Sequence, residues 1–297
     1  MSNYFVSVII PVYNNFESLK LCLNALDNQT YPKEHYEVIV IDNNSTESIK
    51  SLANSFQQVR FASESLQGSY AARNKGVSLA KGEVCAFTDS DCVPTSQWIE
   101  NGIKSMVLQQ ADLLGGNVKF SFSPKKTAAE IYDSITNIQI KRGIEQRKEC
   151  KTANLFVYKK VFDSVGLFPS NIKSGGDVIW TQKATSANFK LVYASEAEVL
   201  HPARKFLSLV KKQYRIGNGQ PYIWLEQNES YWQISKRIIQ GLRPPSPLKF
   251  LHFARSKEYQ EIHTKFVALW LIAWICRITT NIGRVNGLLK KTVIHKQ

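Results

Sequence analysis

Short apolar runs alternate with segments of helical spacing over about the first 112 residues. Residues 5–12, 36–41 and 83–88 are apolar and rich in β-branched side chains, which is typical of buried strands. Helices are expected between and after these strands, beginning near Asn14 (with Glu17 as a capping box), Ser45, Ser69 and Pro94. The alternation predicts an α/β fold with a mostly parallel central sheet and flanking helices.

The pattern is less regular after about residue 112. Strands are predicted at 117–122, 154–158 and 190–194, and helices at 127–143, 160–165 and 175–187. The proline-rich stretch 241–247 predicts a linker or hinge. These changes suggest a main domain of residues 1–230, with halves of about 1–112 and 113–230, followed by a helical C-terminal extension of residues 231–297.

Composition excludes several classes of protein. The 297 residues are 43% hydrophobic and 21% charged, which excludes a disordered chain. Five scattered cysteines without a CxxC pair exclude a disulfide scaffold and a cysteine zinc site, and they favour a reducing compartment. The first apolar run has no preceding Lys or Arg and is broken by Pro11, so it is a poor signal peptide. We therefore expect a cytoplasmic location.

Basic residues are concentrated at the C-terminal end of the sequence. The formal net charge is +14, and residues 231–297 hold 12 Lys/Arg against only Glu258 and Glu261. A nucleic-acid-binding protein usually spreads basic residues over its binding fold, so no nucleic-acid partner is expected. A basic segment mixed with Trp, Phe, Leu and Ile instead favours peripheral contact with an anionic membrane, on the inner face of the cell membrane.

The C-terminal extension contains a candidate membrane helix. Its run at 266–276 is apolar on all sides but has only 11 residues, whereas a spanning helix needs about 20. One helical stripe then carries Leu271, Ile275, Ile278, Ile282, Val285 and Leu289, and another carries Arg277, Arg284 and Lys291. This pattern predicts an amphipathic interfacial helix. The alternatives are a helix packed on protein and a short spanning helix in which Arg277 snorkels.

Polar side chains follow three of the predicted strands. They are Tyr13-Asn14, Asp42 and Asp89-Ser90-Asp91. The carboxyl ends of parallel strands meet at one edge of a sheet, where ligands bind. Two carboxylates spaced i and i+2 can share one hard cation such as Mg²⁺ or Mn²⁺. The simpler alternative is a polar loop with two solvated acids.

Five short segments occur together in a characteristic order. They are residues 6–14 (VSVIIPVYN), 40–46 (VIDNNST), 68–76 (GSYAARNKG), 80–83 (AKGE) and 87–91 (FTDSD). With these segments the chain resembles family 2 glycosyltransferases, which have a GT-A type nucleotide-diphospho-sugar transferase fold. The resemblance covers about residues 5–215 and is weak after about residue 115.

The resemblance implies roles for particular residues. Donor and nucleotide binding would involve Pro11, Tyr13, Asn14, Asp42, Asn44, Arg73, Asp89 and Ser90. Asp91 would be the main metal ligand, with Asp89 and His201 beside it. Alternatives without a ligand remain: Asp42 can cap a helix, Arg73 can form a surface ion pair, and His201 can be a structural core residue.

The same resemblance implies that Asp177 is the catalytic base. In this family the base is usually an Asp at a helix start, often preceded by Glu, and here Gly176 replaces that Glu. The positive end of the helix dipole would favour an ionised carboxylate. Asp177 could instead only cap its helix. Asp163 is a rival acid in a short segment that resembles ordinary packing.

Together these features predict an inverting glycosyltransferase that uses Mg²⁺ or Mn²⁺ and a nucleotide-diphosphate sugar, with a UDP-sugar as the expected donor. Stretch 213–219 lacks the Q-x-x-R-W signature of processive synthases, which favours a non-processive enzyme. The expected acceptor is a saccharide or a lipid-linked sugar in cell-surface or extracellular polysaccharide synthesis. The alternatives are a sugar-nucleotide nucleotidyltransferase and an inactive transferase-like protein that binds membrane or nucleic acid.

Overall fold

The computed structural model describes residues 4–46, 49–52, 55–56, 58–255 and 264–294. Within it the chain forms two compact units. The sheet unit comprises Met1–Ser121, Ile138–Asn171 and Gly176–Pro202, and the helical unit comprises Phe122–Asn137, Ile172–Gly175 and Ala203–Gln297. The two units alternate along the chain, and the last change from one to the other follows Pro202. A functional boundary at residue 230 stays a prediction.

The sheet unit is built around eight strands. They are β1 (Val6–Val12), β2 (Tyr36–Asp42), β3 (Val59–Ser63), β4 (Val84–Thr88), β5 (Val93–Pro94), β6 (Leu113–Ser121), β7 (Asn154–Tyr158) and β8 (Leu191–Pro202). Their spatial order is β3-β2-β1-β4-β7-β6-β8-β5. The pairs β3/β2, β2/β1, β1/β4 and β6/β8 are parallel, whereas the pairs that involve β7 or β5 are antiparallel. The sheet is therefore mixed. Its parallel part contains β1, β2 and β4, which were predicted from sequence, and β3, which was not.

Eleven helices are described in the two units. The sheet unit holds α1 (Phe16–Asp27), α2 (Ser69–Leu79), α3 (Trp98–Leu108), α5 (Ile140–Arg147), α6 (Lys160–Val165) and α7 (Gly176–Ser186). The helical unit holds α4 (Ala128–Thr136), α8 (Phe206–Glu226), α9 (Tyr231–Leu242), α10 (Pro247–Arg255) and α11 (Phe266–Ile294).

Alternate residues of β1 face opposite sides of the sheet, because side chains along a strand have a period of two. Val8 and Ile10 are fully buried in the same apolar cluster as Leu23 of α1. On the other side, a Cβ at Gly76 of α2 would collide with Ile9, so the glycine lets α2 lie close to the strand. Both faces of β1 are thus covered, as its continuous apolar sequence predicts.

Three predicted helix starts differ from the structure. Helix α1 begins at Phe16, and Asn14 forms no capping box because its Oδ1 accepts a hydrogen bond from the backbone N–H of Thr46 instead. For the helix predicted at 45–56, the described residues show only a 3₁₀ turn over Ile49–Leu52, and the rest falls partly outside them. Pro94 lies in β5, and α3 starts four residues later.

The helix predicted at 127–143 is in fact two helices. Thr127 and Glu130 form a capping box at the start of α4, which ends before Asn137. Ile138 has a φ of 49°, a left-handed conformation that interrupts a helix. The strand predicted at 190–194 is also longer than expected, because β8 continues to Pro202 beside β6 and therefore includes His201.

The helical unit is organised around close packing of α8 and α11. A Cβ at Gly217 would collide with the backbone of Thr280, and one at Gly283 would collide with the carbonyl of Tyr214. Glycines at these positions allow the two helix backbones to approach closely. The face of α11 that carries these contacts is therefore a protein-packing face.

Two arginines predicted to line a polar face of α11 contact neighbouring helices of the helical unit instead. The Arg284 guanidinium lies 4.9 Å from the ring centroid of Trp224, and its Nε donates to Gln220 at 2.7 Å. Arg277 donates to the carbonyl of Gln240. The spacing of these arginines suggested a stripe that faces lipid headgroups. In the structure Arg284 contacts α8 and Arg277 contacts α9. The side chain of Lys291 lies outside the described part of the structure.

Candidate functional site

The carboxyl ends of β1, β2 and β4 meet at one edge of the sheet, as predicted. The register pairs Val12 of β1 with Asp42 of β2, and Asp89 follows Thr88, the last residue of β4. Asp42 is half-buried, and its Oδ1 accepts a hydrogen bond from the backbone N–H of Ser45 at 3.1 Å. Asp42 therefore stabilises the turn after β2, and its contact with a nucleotide stays a prediction.

Asn14 and Asn44 connect the loops around this edge. Their φ values are 46° and 65°, in the left-handed region that Asn tolerates better than most residues. Oδ1 of Asn14 accepts from the backbone N–H of Thr46 at 2.8 Å, and Nδ2 of Asn44 donates to the Ser65 carbonyl at 2.7 Å. Both side chains are engaged in loop structure, so donor binding by them stays a prediction.

The remaining donor-binding residues predicted on β1 and after β4 differ in exposure. Pro11 is buried within β1, whereas the Tyr13 side chain is 55% exposed beyond its end. Ser90 is buried, and its Oγ accepts a hydrogen bond from Nδ2 of Asn15 at 3.1 Å. Of these three, Tyr13 presents an aromatic ring to solvent, on which a nucleotide base could stack.

A buried asparagine that the sequence analysis missed links β2 to α2. Nδ2 of Asn43 donates to the carbonyls of Glu64 and Leu66, and its Oδ1 accepts from the N–H of Gly68 at 2.7 Å. Gly68 precedes α2 with a φ of 145°, which favours glycine. The Asn43 amide thus fixes the start of α2, the helix that carries Arg73. In the sequence, Asn43 is recognisable only as one of two polar residues after a strand, and that pattern is common in loops.

Arg73 contacts the segment Asp89-Ser90-Asp91, the acidic triplet that follows β4. Its side chain is buried, and Nη2 donates to Oδ1 of Asp89. Nη1 also lies 3.4 Å from the carbonyl of Ser69, while Nε is buried without a hydrogen-bond partner among the described residues. The alternative of a surface ion pair is therefore wrong for Arg73. The arginine holds one of the two carboxylates of the triplet in place.

Side chains from two distant parts of the chain form a candidate metal site. The ligand atoms of Asp89, Asp91, Cys92 and His201 all lie within 4.8 Å of one another. His201 is fully buried on β8, and its Nε2 is 3.7 Å from Oδ2 of Asp91. Nδ1 of His201 is 2.8 Å from the carbonyl oxygen of Pro202, which can only accept, so Nδ1 carries a proton. In the neutral imidazole, Nε2 is then unprotonated and can serve as a metal ligand.

Cys92 was not predicted as part of this group. Burial raises the pKa of its thiol well above the ordinary value, and the charges of Asp89 and Asp91 raise it further. The Sγ–H points to the Ala153 carbonyl, 3.9 Å away, within the apolar core. A neutral thiol is a poor ligand. The donor set that fits a hard divalent cation is therefore two carboxylates and one imidazole, as in the sequence-based expectation.

Asp177 lies in the first turn of α7 and accepts three hydrogen bonds. Its Oδ1 accepts from the Tyr70 hydroxyl at 2.9 Å and from the Val178 N–H at 3.0 Å. Its Oδ2 accepts from the Thr152 N–H at 3.2 Å. The rival acid Asp163 is exposed on α6. These hydrogen bonds fix the orientation of the Asp177 carboxylate. Its catalytic role stays a prediction.

Tyr70 was missed as a site residue. Its ring is buried, and burial, followed by the charge of Asp177, raises the pKa of its hydroxyl. A Cβ at Gly176 would lie 2.8 Å from Cε2 of this ring. The glycine that interrupts the expected Glu-Asp pair therefore makes room for Tyr70. The sequence contains both residues, but 107 positions separate Tyr70 from Asp177.

A family profile matches the part of the chain that carries the acidic triplet. The family is described as Glycosyl transferase family 2, and the match covers residues 7–167. Asp42, Arg73, Asp89 and Asp91 lie inside that span, whereas Asp177 and His201 lie beyond it.

Two characterised relatives extend the comparison. Glycosyltransferase AglE of Haloferax volcanii is 42% identical over 294 residues, which cover 96% of this chain and 97% of the relative. That similarity includes the C-terminal helices. Dolichyl N-acetyl-alpha-D-glucosaminyl phosphate 3-beta-D-2,3-diacetamido-2,3-dideoxy-beta-D-glucuronosyltransferase of Methanococcus voltae is 26% identical over 203 residues, which cover 63% of each chain.

Among solved structures, the fold is similar to that of mannosyltransferase PcManGT from Pyrobaculum calidifontis, determined in complex with GDP-Man and Mn²⁺. The TM-score is 0.65 at 15% identity, and the match covers 97% of this chain and 88% of the other. At this level of identity the likeness concerns the fold. It confirms the predicted GT-A type architecture.

Proposed function

The chain belongs to glycosyltransferase family 2, and from this membership we propose an inverting, non-processive transfer of one sugar from a nucleoside-diphosphate donor to the hydroxyl of a lipid-linked saccharide. A glycosyltransferase role in glycan biosynthesis, with a nucleotide-sugar donor, follows from the family match and from the full-length relative at 42% identity. The finer assignments rest on the residues of the sheet unit. The family match also favours sugar transfer over the alternative of nucleotidyl transfer.

One structural observation carries the proposal: a single helix contacts both groups of acidic residues. From α2, Arg73 bonds to Asp89 and Tyr70 bonds to Asp177. These two contacts support the proposal that the carboxylates assigned to the donor side and to the acceptor side belong to one site. This is the arrangement that a direct displacement requires, because leaving group and base must act on the same reacting centre.

Asp89, Asp91 and His201 would hold Mg²⁺ or Mn²⁺ against the donor diphosphate. A cation bound there supplies Lewis-acid stabilisation of the negative charge on the leaving nucleoside diphosphate. Arg73 fixes the orientation of Asp89, and the Nδ1–H bond to the Pro202 carbonyl fixes the ring of His201. A UDP-sugar remains the expected donor, and GDP-sugars belong in the same test.

Asp177 would take the proton of the acceptor hydroxyl. As that oxygen forms a bond to the anomeric carbon, the bond from this carbon to the diphosphate oxygen breaks and its electron pair leaves with the diphosphate. The proton passes to the Asp177 carboxylate, which is already oriented by donors on both oxygens. Attack from the face opposite the leaving group inverts the anomeric configuration.

The helical unit suggests where the acceptor resides. Helix α11 has one stretch, Phe266–Leu289, that by length and composition alone could cross a membrane. At 24 residues it is longer than the 11-residue run considered from sequence. The predicted stripe on this helix is largely solvent-exposed at Leu271, Ile275, Ile282, Val285 and Leu289.

Exposed side chains on α9 and α10 add to this apolar surface. Trp232, Ile239 and Leu248 are exposed, and the neighbouring exposed Lys236 and Lys249 supply positive charge. We therefore assign peripheral contact with an anionic cytoplasmic membrane surface, where a lipid-linked saccharide would be presented. The name of the Methanococcus voltae relative includes a dolichyl phosphate-linked sugar, which supports this class of acceptor.

The test is transfer from radiolabelled UDP- and GDP-sugars in the presence of Mn²⁺, with Asp91→Ala and Asp177→Asn beside the wild type. Asp91→Ala should abolish donor hydrolysis and transfer. Asp177→Asn should abolish transfer while nucleoside-diphosphate binding is retained. Asp163→Asn is the matched control, an exposed acid on α6 that should keep wild-type activity. Wild-type activity in Asp91→Ala, or loss with Asp163→Asn but not with Asp177→Asn, would contradict the assignment.

A further inference from the structure

We propose that Tyr70 is the positioning residue of Asp177: its hydroxyl holds Oδ1 of the carboxylate, so that Oδ2 is the atom that receives the proton from the acceptor. This inference rests on the proposed role of Asp177 as base. It adds which residue orients that base and which of its two oxygens acts.

The hydrogen bonds of Asp177 distinguish its two oxygens. A carboxylate oxygen has two lone-pair directions. Those of Oδ1 are taken by the Tyr70 hydroxyl and the Val178 N–H, at 2.9 and 3.0 Å. Among the residues that the structure describes, Oδ2 accepts one bond, from the Thr152 N–H at 3.2 Å. One lone pair therefore remains on Oδ2 for an incoming hydroxyl, whereas Oδ1 is saturated.

Packing on several sides fixes the position of the Tyr70 ring, so its hydroxyl can orient Asp177. Its ring is 5% exposed, and its centroid is 6.2 Å from that of Phe168. On the side of α7 it lies against Gly176, where even a Cβ would approach the ring to 2.8 Å. The absence of a side chain at residue 176 is thus what allows the hydroxyl to reach the carboxylate. A side chain at residue 176 would therefore require the Tyr70 ring to shift.

The protonation of Tyr70 suits this role. Burial raises the pKa of its hydroxyl, and the adjacent charge of Asp177 raises it further. The hydroxyl therefore stays protonated at neutral pH and donates to the carboxylate. Arg73, one turn further along α2, places its guanidinium carbon 5.7 Å from the centre of the Tyr70 ring. The ring is thus packed between Arg73, which bonds to Asp89, and the base.

The experiment compares Tyr70→Phe, Asp177→Asn and the double variant. Tyr70→Phe keeps the ring but removes the donor, and we expect kcat to fall about 10- to 100-fold, as for one lost hydrogen bond to a charged group. Mn²⁺-dependent UDP and GDP binding should stay within about twofold of wild type. In the Asp177→Asn background, Tyr70→Phe should not lower any residual rate further, because the two residues act as a unit.

Two further variants separate positioning from folding. Tyr36→Phe is the control: it removes a buried hydroxyl that bonds to the Leu26 carbonyl, at the opposite end of β2, and it should leave kcat unchanged. Gly176→Ala introduces a methyl group against the Tyr70 ring. It should lower kcat as Tyr70→Phe does, although the hydroxyl is still present.

Each outcome bears on a different claim. A wild-type kcat in Tyr70→Phe, with Asp177→Asn inactive, would overturn the positioning role and leave the base assignment standing. An active Asp177→Asn would overturn the proposed base itself. A Tyr70→Phe protein with weakened nucleotide binding in proportion to its lost activity would make Tyr70 a general structural residue. If Tyr70→Phe does not fold, a wild-type kcat in Gly176→Ala would overturn the inference.

Discussion

Arg73 and Asp89 form an ion pair whose two partners differ sharply in environment. The Arg73 side chain is 5% exposed, whereas that of Asp89 is 31% exposed. A buried guanidinium without its carboxylate would carry an uncompensated charge, and a carboxylate without its arginine would lose its orientation. The pair therefore contributes both to the stability of the sheet unit and to the geometry of the proposed donor site.

Replacement of Arg73 by Gln should affect both properties. We expect a loss of about 2 kcal/mol in the free energy of unfolding, below the value for a fully buried pair because Asp89 is partly exposed. Donor affinity should fall as well. Urea unfolding and calorimetric nucleotide binding measure the two effects. Lys33→Gln breaks an exposed pair with Asp27 and should cost less than about 1 kcal/mol, so equal losses would contradict this account.

Removal of the proposed cation ligands should weaken metal-dependent binding. Asp91→Asn and His201→Gln should each reduce Mn²⁺-dependent affinity for a nucleoside diphosphate by about 10- to 100-fold, because the first removes a negative charge and the second removes the imidazole nitrogen from the group. Isothermal titration with and without EDTA measures this. Asp27→Asn, an exposed surface change, is the control. Unchanged affinity in His201→Gln would contradict its role as a cation ligand and would mean that His201 is a structural residue of the core.

Membrane contact should depend on exposed residues of α11. The triple variant Leu271→Gln, Ile282→Gln and Leu289→Gln removes apolar surface that is solvent-exposed in the helical unit. Each side chain is worth about 1.5 kcal/mol or more on burial, so flotation with phosphatidylglycerol vesicles should drop at least about 100-fold in partition coefficient.

A matched triple variant controls for the general loss of apolar surface. Leu21, Leu108 and Leu167 are similarly exposed, but they belong to the sheet unit, and their replacement by Gln should leave flotation unchanged. Equal loss in both triple variants would contradict a specific role of α11. So would unchanged flotation of the α11 variant.

Acid should destabilise the helical unit through Glu130. Burial alone would raise the pKa of this carboxyl, but hydrogen bonds from the hydroxyls and N–H groups of Thr127 and Ser123 outweigh it and lower the pKa to about 2. The resulting stability is present above the unfolded pKa of about 4.3 and is lost as pH falls towards about 2. Its size is of the order of 3 kcal/mol.

Urea unfolding between pH 7 and pH 2.5 tests this prediction. Glu130→Gln should be less stable than wild type at pH 7, and the difference should shrink as pH falls through that window. Glu145→Gln, an exposed residue paired with Lys141, should match the wild type throughout. A difference between Glu130→Gln and wild type that does not vary with pH would contradict the assigned role of the charge.

Several parts of the fold could be predicted because they depend on local pattern. The apolar runs of β1, β2 and β4 are buried on both faces, so their residues alone identify them as strands. Parallel pairing then brings their ends together, which is why Asp42 and Asp89 were expected at one edge. The capping box predicted at Asn14 was wrong because Asn can either cap a helix or form hydrogen bonds within a loop. Local sequence does not decide between the two.

The sequence by itself determined the strands β1, β2 and β4, the edge of the sheet that carries the acidic residues, and the family. Only the tertiary structure decided that His201 faces Asp91, that Tyr70 occupies the space beside Gly176, and that Arg284 packs on Trp224. The physical reason is distance along the chain. Hydrophobic period and turn residues report on neighbours within a few positions, whereas these contacts depend on strand order and helix packing, which bring together residues 60 to 110 positions apart.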